Sequence, residues 1–253
     1  MASPVVLISP AMSVPSRFYG AVVEAFEQHG WEAVALPRRG FERDDAPASR
    51  TNDWSYADEI RTIADAVAKV RSEQPGRRVV LLGHSLGAQM GAGHQLLHDP
   101  ADGFVVVGAS LPYFRHYPKG GLPLLAMSSA ITATARVRGH VPKPLFGAPG
   151  ASTLMREWAH MVRTGRPPFD VPRRVSTPTL VVDLEGDTYA RLPATQCFVD
   201  LLIDRAALTR WTYARSAVPE GGTTHHVGWA RTPGPVVDGV VEWWAAVGAT
   251  DPP

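Results

Sequence analysis

The run Gly83-His84-Ser85-Leu86-Gly87 constrains this chain more than any other feature. It is a Gly-x-Ser-x-Gly pattern set between an apolar stretch, Arg78 to Leu82, that reads as a central strand, and a small-residue helix, Ala88 to Leu97. A serine perched on so sharp a strand-to-helix turn must hold a strained backbone. Glycines two positions to either side let strand and helix approach without Cβ clashes. The amino end of the helix then aims its N–H groups at any negative charge that develops there. Ser85 is therefore the candidate nucleophile, and the competing reading is a structural turn serine.

A serine hydroxyl is a weak nucleophile and needs a base, which needs a third group to fix its tautomer. For a serine on this kind of turn the chain order is Ser, then Asp or Glu, then His. Leu180-Val181-Val182-Asp183-Leu184-Glu185-Gly186-Asp187 supplies three acids. Asp183 falls inside a strand and Glu185 on its rim, while Asp187 follows Gly186 into the loop, so Asp187 is preferred and Glu185 is the main competitor. The base is expected between the last strand and the last helix, where Gly221 to Trp229 contains His225 and His226. His226 directly precedes Val227-Gly228-Trp229, where the chain turns into its final helix, and is preferred over His225.

Around these residues, short β-branched runs alternate with helical periodicities, as expected of a parallel sheet with crossover helices. Strands are predicted at 5–8, 32–36, 78–82, 104–107, 179–184 and 208–213, with helices near 53–70, 88–97, 193–203 and 236–247. Between about Ser110 and Arg174 the rhythm changes to a segment rich in Pro, Gly, Met and aromatics, with helical patches and no convincing strand. That segment reads as an insertion over the carboxyl edge of the sheet. The domain organisation is thus a core of residues 1–109 and 175–253 with a cap, or lid, over 110–174. Its apolar residues Tyr113, Phe114, Met127 and Trp158 are candidate pocket walls, and equally candidates for the small core of the cap itself.

A length of 253 residues with 45% hydrophobic content suits one packed domain. The formal net charge is +1 with no long run of like charge, which argues against nucleic acid, polyanionic partners and a polybasic membrane patch. A small-molecule substrate is the expected partner; the oligomeric state is not readable. Cys197 is the single cysteine, so no internal disulfide forms, and an inert thiol in a reducing cytoplasm is expected. The start of the chain has no basic segment and no apolar run long enough for a signal core or a membrane span.

The sequence resembles the α/β-hydrolase superfamily, and more narrowly a bacterial group with serine aminopeptidase-like and esterase-like relatives. The residues that carry the resemblance are Pro10-Ala11-Met12-Ser13-Val14-Pro15, Arg17-Phe18-Tyr19, Gly83-His84-Ser85-Leu86-Gly87, Tyr113-Phe114-Arg115, Glu157-Trp158, Gly186-Asp187 and His226-Val227-Gly228-Trp229. It implies an α/β-hydrolase fold with a mostly parallel sheet, helices on both faces and a helical lid. Many members carry two further strands at the amino end, and this chain begins at what would be their third, so about six strands are expected. It also implies an oxyanion hole built from the backbone N–H groups of Leu86 and Met12. The usual His-Gly-x-Gly loop is here Pro10-Ala11-Met12-Ser13, with Ser13 where glycine is expected.

Two other patterns point elsewhere. Gly87, Gly91 and Gly93 mimic dinucleotide-binding spacing but fall inside a helix, where small residues serve close helix-to-sheet packing. His94 and His98 lie one helical turn apart, yet Gln95 stands where a zinc protease needs a glutamate to activate water, so no metal is expected. The chemistry implied is hydrolysis of an ester, thioester or amide of a moderately hydrophobic small molecule, with no metal or organic cofactor required. Acyl transfer or cyclisation by the same triad, and a non-catalytic ligand binder on the same scaffold, are the alternatives.

Overall fold

The computed structural model describes residues 3–143 and 148–250. Six strands, β1 (Val5–Ser9), β2 (Glu32–Ala35), β3 (Val79–His84), β4 (Gly103–Val107), β7 (Thr179–Leu184) and β8 (Leu208–Tyr213), form one sheet in the order β2-β1-β3-β4-β7-β8. Every pairing in it is parallel. The strands at the centre of this order are buried on both faces, which is why they read as unbroken apolar runs instead of alternating ones.

Successive strand residues feed two separate cores. Leu7, Leu81, Phe104 and Val181 face α2 (Tyr56–Glu73), α3 (Leu86–Leu97) and α6 (Leu192–Leu202), while Ile8, Leu82, Val105 and Val182 face α1 (Gly20–Gln28) and α7 (Gly234–Thr250). The glycines of α3 set how closely that helix lies on the sheet. A Cβ on Gly87 would stand 2.0 Å from the Ser9 carbonyl oxygen, and one on Gly91 2.7 Å from the Phe104 ring. Close packing, and no nucleotide cradle, accounts for that spacing.

The start of α2 is fixed by a capping box. Asp58 donates its N–H to the Ser55 hydroxyl at 3.2 Å, and its carboxylate accepts the Ser55 N–H at 2.8 Å. That places Glu59, next in sequence, in the first buried turn.

The segment between β4 and β7 contains two helices, α4 (Leu122–Arg138) and α5 (Ser152–Thr164), packed against each other. Before α5 lie the two-residue strands β5 (His140–Val141) and β6 (Gly150–Ala151), an antiparallel pair with no signal in the sequence. Such a pair is too short to show an alternating pattern.

A second difference concerns the turn expected over 83–87. Gly83 and His84 stay in the sheet, paired with Val106 and Val107, and α3 begins at Leu86. The whole reversal is concentrated in Ser85. No helix among the described residues is long and apolar enough to cross a membrane.

Candidate active site

Ser85 sits at φ 54° and ψ −115°, a left-side conformation that an L-residue holds only when its surroundings enforce it. The enforcing contacts are visible. Its N–H donates to the Val107 carbonyl at 2.9 Å, and a Cβ on Gly83 would meet the Ala88 Cα at 2.4 Å, so strand and helix touch backbone to backbone beneath the turn. The side chain is thereby raised above the carboxyl edge of β3.

The Ser85 hydroxyl lies 2.9 Å from His226 Nε2. His226 Nδ1 lies 2.6 Å from Asp187 Oδ2. The other carboxylate oxygen, Oδ1, accepts the N–H groups of Tyr189 at 2.7 Å and Ala190 at 3.1 Å, which fixes the orientation of the acid. Burial pushes the Asp187 pKa up, but the hydrogen bond and charge of His226 and these two N–H groups outweigh it and hold the carboxyl below its ordinary value. A carboxylate in that position keeps the proton on His226 Nδ1 and leaves Nε2 free to accept from serine.

The competing residues are engaged elsewhere. Glu185 accepts the Arg215 N–H at 2.7 Å, and Asp183 pairs with Arg210 Nε at 2.6 Å. His225 is exposed, with Nδ1 3.5 Å from the Val227 N–H.

Two aromatic rings neighbour His226. Tyr189 stacks on it at 5.1 Å and 27°, and His84 lies at 5.4 Å and 50°. His84 is fully buried and joins three loops. Its Nδ1 is 2.7 Å from the Tyr19 hydroxyl, which accepts the Ala11 N–H at 2.8 Å, and its Nε2 is 2.7 Å from the His226 carbonyl. The Trp229 indole N–H stands farther from the same nitrogen, at 3.3 Å. The shorter contact to a carbonyl assigns the proton to Nε2, so Tyr19 donates to Nδ1. Burial, reinforced by repulsion from His226, lowers the His84 pKa to about 3 and keeps the ring neutral.

Among the described residues neither the Met12 nor the Leu86 N–H has a hydrogen-bond partner. Ser13, standing where glycine is expected, has φ 62°, the left-handed region that makes glycine the easier residue there. Its hydroxyl is buried and unpartnered.

A small cavity of about 20 Å³ borders Met12 and Leu86. Its apolar walls are Phe41, Trp54, Leu154 and Met155, and its polar ones are Ser13, Arg38 and Glu59. Tyr113, Phe114, Met127 and Trp158 do not line it. Tyr113 and Phe114 pack edge to face on each other at 5.0 Å, Met127 is 37% exposed, and Trp158 packs on the core. Sequence reasoning passed over Arg38 and Glu59, because each stands in a charged, loop-like or helix-start context with nothing to signal burial. Tyr19 and His84 were both inside quoted motifs, yet only their contacts reveal a shared role.

The family model for serine aminopeptidase, S33 matches residues 2–163, well over half of the sequence. The chain belongs to this family. As an S33 member it is a hydrolase of the α/β-hydrolase superfamily. The matched stretch holds Ser85 but ends before Asp187 and His226, so those two stand on the geometry above.

Similar solved structures include the lipolytic enzymes LipS and LipT, described as metagenome-derived, at TM-score 0.67 and 12% identity over 96% of this chain and 94% of the other. They also include a Paleococcus ferrophilus monoacylglycerol lipase at 0.63 and 15% over 96% and 97%. An Exiguobacterium antarcticum esterase gives 0.60 and 15% over 96% and 92%. At these identities the likeness is one of fold. No match is found among curated proteins.

Proposed function

We propose that this S33 member hydrolyses an ester, thioester or amide of a small molecule through an acyl-enzyme on Ser85. The reading is carried by one observation, the unbroken series from the Ser85 hydroxyl to His226 to Asp187 at 2.9 and 2.6 Å. Ser85 Oγ attacks the carbonyl carbon and its proton passes to His226 Nε2. The tetrahedral oxyanion sits between the Met12 and Leu86 N–H groups, each such donor being worth about 100- to 1,000-fold in rate. Collapse expels the leaving group, which takes the proton from His226. Water then adds to the acyl carbon and gives a proton to His226, which returns it to Ser85 Oγ as the acid product leaves.

In this reading α5, packed on α4, belongs to a lid, since its Leu154 and Met155 line the same cavity as Met12 and Leu86. Glu157 of the same helix accepts the Tyr56 N–H at 2.8 Å and holds α5 to the start of α2. The test is labelling of the purified protein with a fluorophosphonate, read by intact mass. A single adduct that vanishes in Ser85→Ala supports the proposal; an unlabelled, well-folded protein refutes it.

A further inference from the structure

His84 stands directly before the nucleophile, yet the reaction steps above give it no part. It ends β3, paired with Val107 of β4, and its side chain is fully buried. Its hydrogen bonds run in one direction. The Ala11 N–H donates to the Tyr19 hydroxyl at 2.8 Å, the hydroxyl donates to His84 Nδ1 at 2.7 Å, and His84 Nε2–H donates to the His226 carbonyl at 2.7 Å. The series thus starts in the loop after β1 and ends in the loop after β8, and those two strands lie on opposite sides of β3 in the sheet order.

Both ends of the series touch groups that hydrolysis would use. Ala11 precedes Met12, and only the φ and ψ of Ala11 separate its bonded N–H from the Met12 N–H assigned to the oxyanion. The carbonyl at the other end belongs to His226 itself. Ser85, which both must meet, is the residue next to the ring.

A neutral imidazole suits this position because it carries one acceptor and one donor at a fixed separation on a rigid ring. Protonation would turn Nδ1 into a donor and break the bond from Tyr19. Burial, with repulsion from His226, opposes that by lowering the His84 pKa to about 3, and burial raises the Tyr19 phenol above its ordinary value. Neither group changes its hydrogen-bonding sense near neutral pH.

We infer that His84 is a positioning residue: one ring, fixed to the strand that carries Ser85, sets the Met12 N–H through Tyr19 and Ala11 and sets His226 through its carbonyl. This rests on the acyl-enzyme reading for the roles of Met12 and His226, whereas the bonds themselves do not depend on it.

Two variants divide the ring. Asn carries an acceptor at the δ position of Nδ1, and Gln a donor at the ε position of Nε2, so His84→Asn retains the bond from Tyr19 and His84→Gln the bond to His226. Hydrolysis of 4-nitrophenyl butyrate, expressed per serine titrated with the fluorophosphonate, should show kcat lower by about 10- to 100-fold in each variant, the effect of misplacing a catalytic group by up to an ångström. KM should stay within about 3-fold of the unaltered protein. Proton–nitrogen correlation spectra of the imidazoles should show His226 leaving the Nδ1–H tautomer in His84→Asn alone, and amide exchange at Ala11 should be about 10-fold faster or more in His84→Gln alone. A ring that serves folding only would lower Tm and leave kcat per titrated serine within about 3-fold in both variants, and that result overturns the inference. Should neither variant fold, Tyr19→Phe decides: a fall in kcat per titrated serine of about 10-fold or more upholds the inference, and an unchanged value overturns it. Where the unaltered protein does not turn over the ester, the His226 tautomer and Ala11 exchange decide, and unchanged spectra in both variants overturn the inference. Failure to take up the probe as well removes the hydrolytic reading and leaves that decision on the spectra intact.

Discussion

His94 in α3 offers a sharp quantitative test of how burial governs this fold. Its side chain is 1% exposed and both ring nitrogens are unpartnered. Burial first, then repulsion from His98 and Arg71, with Asp99 opposing, lowers its pKa from 6.5 to about 4. An unfolded chain binds a proton at this histidine below pH 6.5, whereas the folded chain does so only near pH 4. Unfolding is therefore favoured as pH falls between those values, unaffected above them, and constant below. At pH 4.5 the loss is about 2.5 kcal/mol, from roughly two units at 1.36 kcal/mol each; at pH 7 it is under about 0.3 kcal/mol. His94→Leu removes this contribution and leaves every other titrating group in place. Urea unfolding of both proteins should show their stability difference shifting by about 2 kcal/mol in favour of the variant between pH 7 and 4.5. In thermal scans this is a relative shift of about 4–8 °C at this chain length. Parallel pH curves for the two proteins would refute the assignment of His94 as a buried, neutral, unsatisfied imidazole.

Three further outcomes follow from the site. Asp187→Asn should lower kcat on any turned-over ester by up to about 10⁴-fold through loss of the correct imidazole tautomer, while Glu185→Gln should change it less than about 3-fold; steady-state kinetics on the two variants separate the acids. Gly87→Ala should cost about 3 kcal/mol or more, because its Cβ would lie 2.0 Å from the Ser9 carbonyl oxygen, a backbone atom with no room to yield. Differential scanning should show a fall in Tm of about 6 °C or more. Tyr19→Phe should cost about 2 kcal/mol or more in urea melts, since it strips partners from the Ala11 N–H and His84 Nδ1 together.

The sheet was legible because strands buried on both faces must be largely apolar, and β1, β3 and β4 are so except at the carboxyl ends of β1 and β3, where Ser9 and His84 stand. The candidates Ser85, Asp187 and His226, which the structure brings within hydrogen-bond distance of one another, could be picked out because backbone strain at Ser85 demands glycine neighbours and because chain order limits the acid and the base to two short loops. What stayed hidden shares a different character. Arg38 sits in Pro37-Arg38-Arg39-Gly40, where two adjacent arginines look equivalent, yet Arg38 is 3% exposed while Arg39 reaches the exposed Thr62 hydroxyl at 2.9 Å. Glu59 has the same composition signal as any acid in a helix's first turn. The burial of such residues is decided by partners distant in sequence, Arg38 by Pro10 and Glu59, His84 by Tyr19 and His226. Periodicity reports the face a residue occupies and carries no record of what meets it there.

The rings of Tyr189 and His84 beside His226 bear on the motion of that histidine. A half-turn of the imidazole about its Cβ–Cγ bond would put Cδ2 in the place of Nδ1 and Cε1 in the place of Nε2, taking both nitrogens off their partners. That rotation must release the contacts to Ser85 and Asp187 at once and sweep a ring edge past Tyr189, stacked at 5.1 Å, and His84, at 5.4 Å. Ring reorientation is thereby coupled to opening of the loop that carries Tyr189, whose carbonyl is itself tethered by the Tyr117 hydroxyl at 2.7 Å. The two nitrogens of this buried ring are thereby held to separate partners, Nδ1 to Asp187 and Nε2 to Ser85.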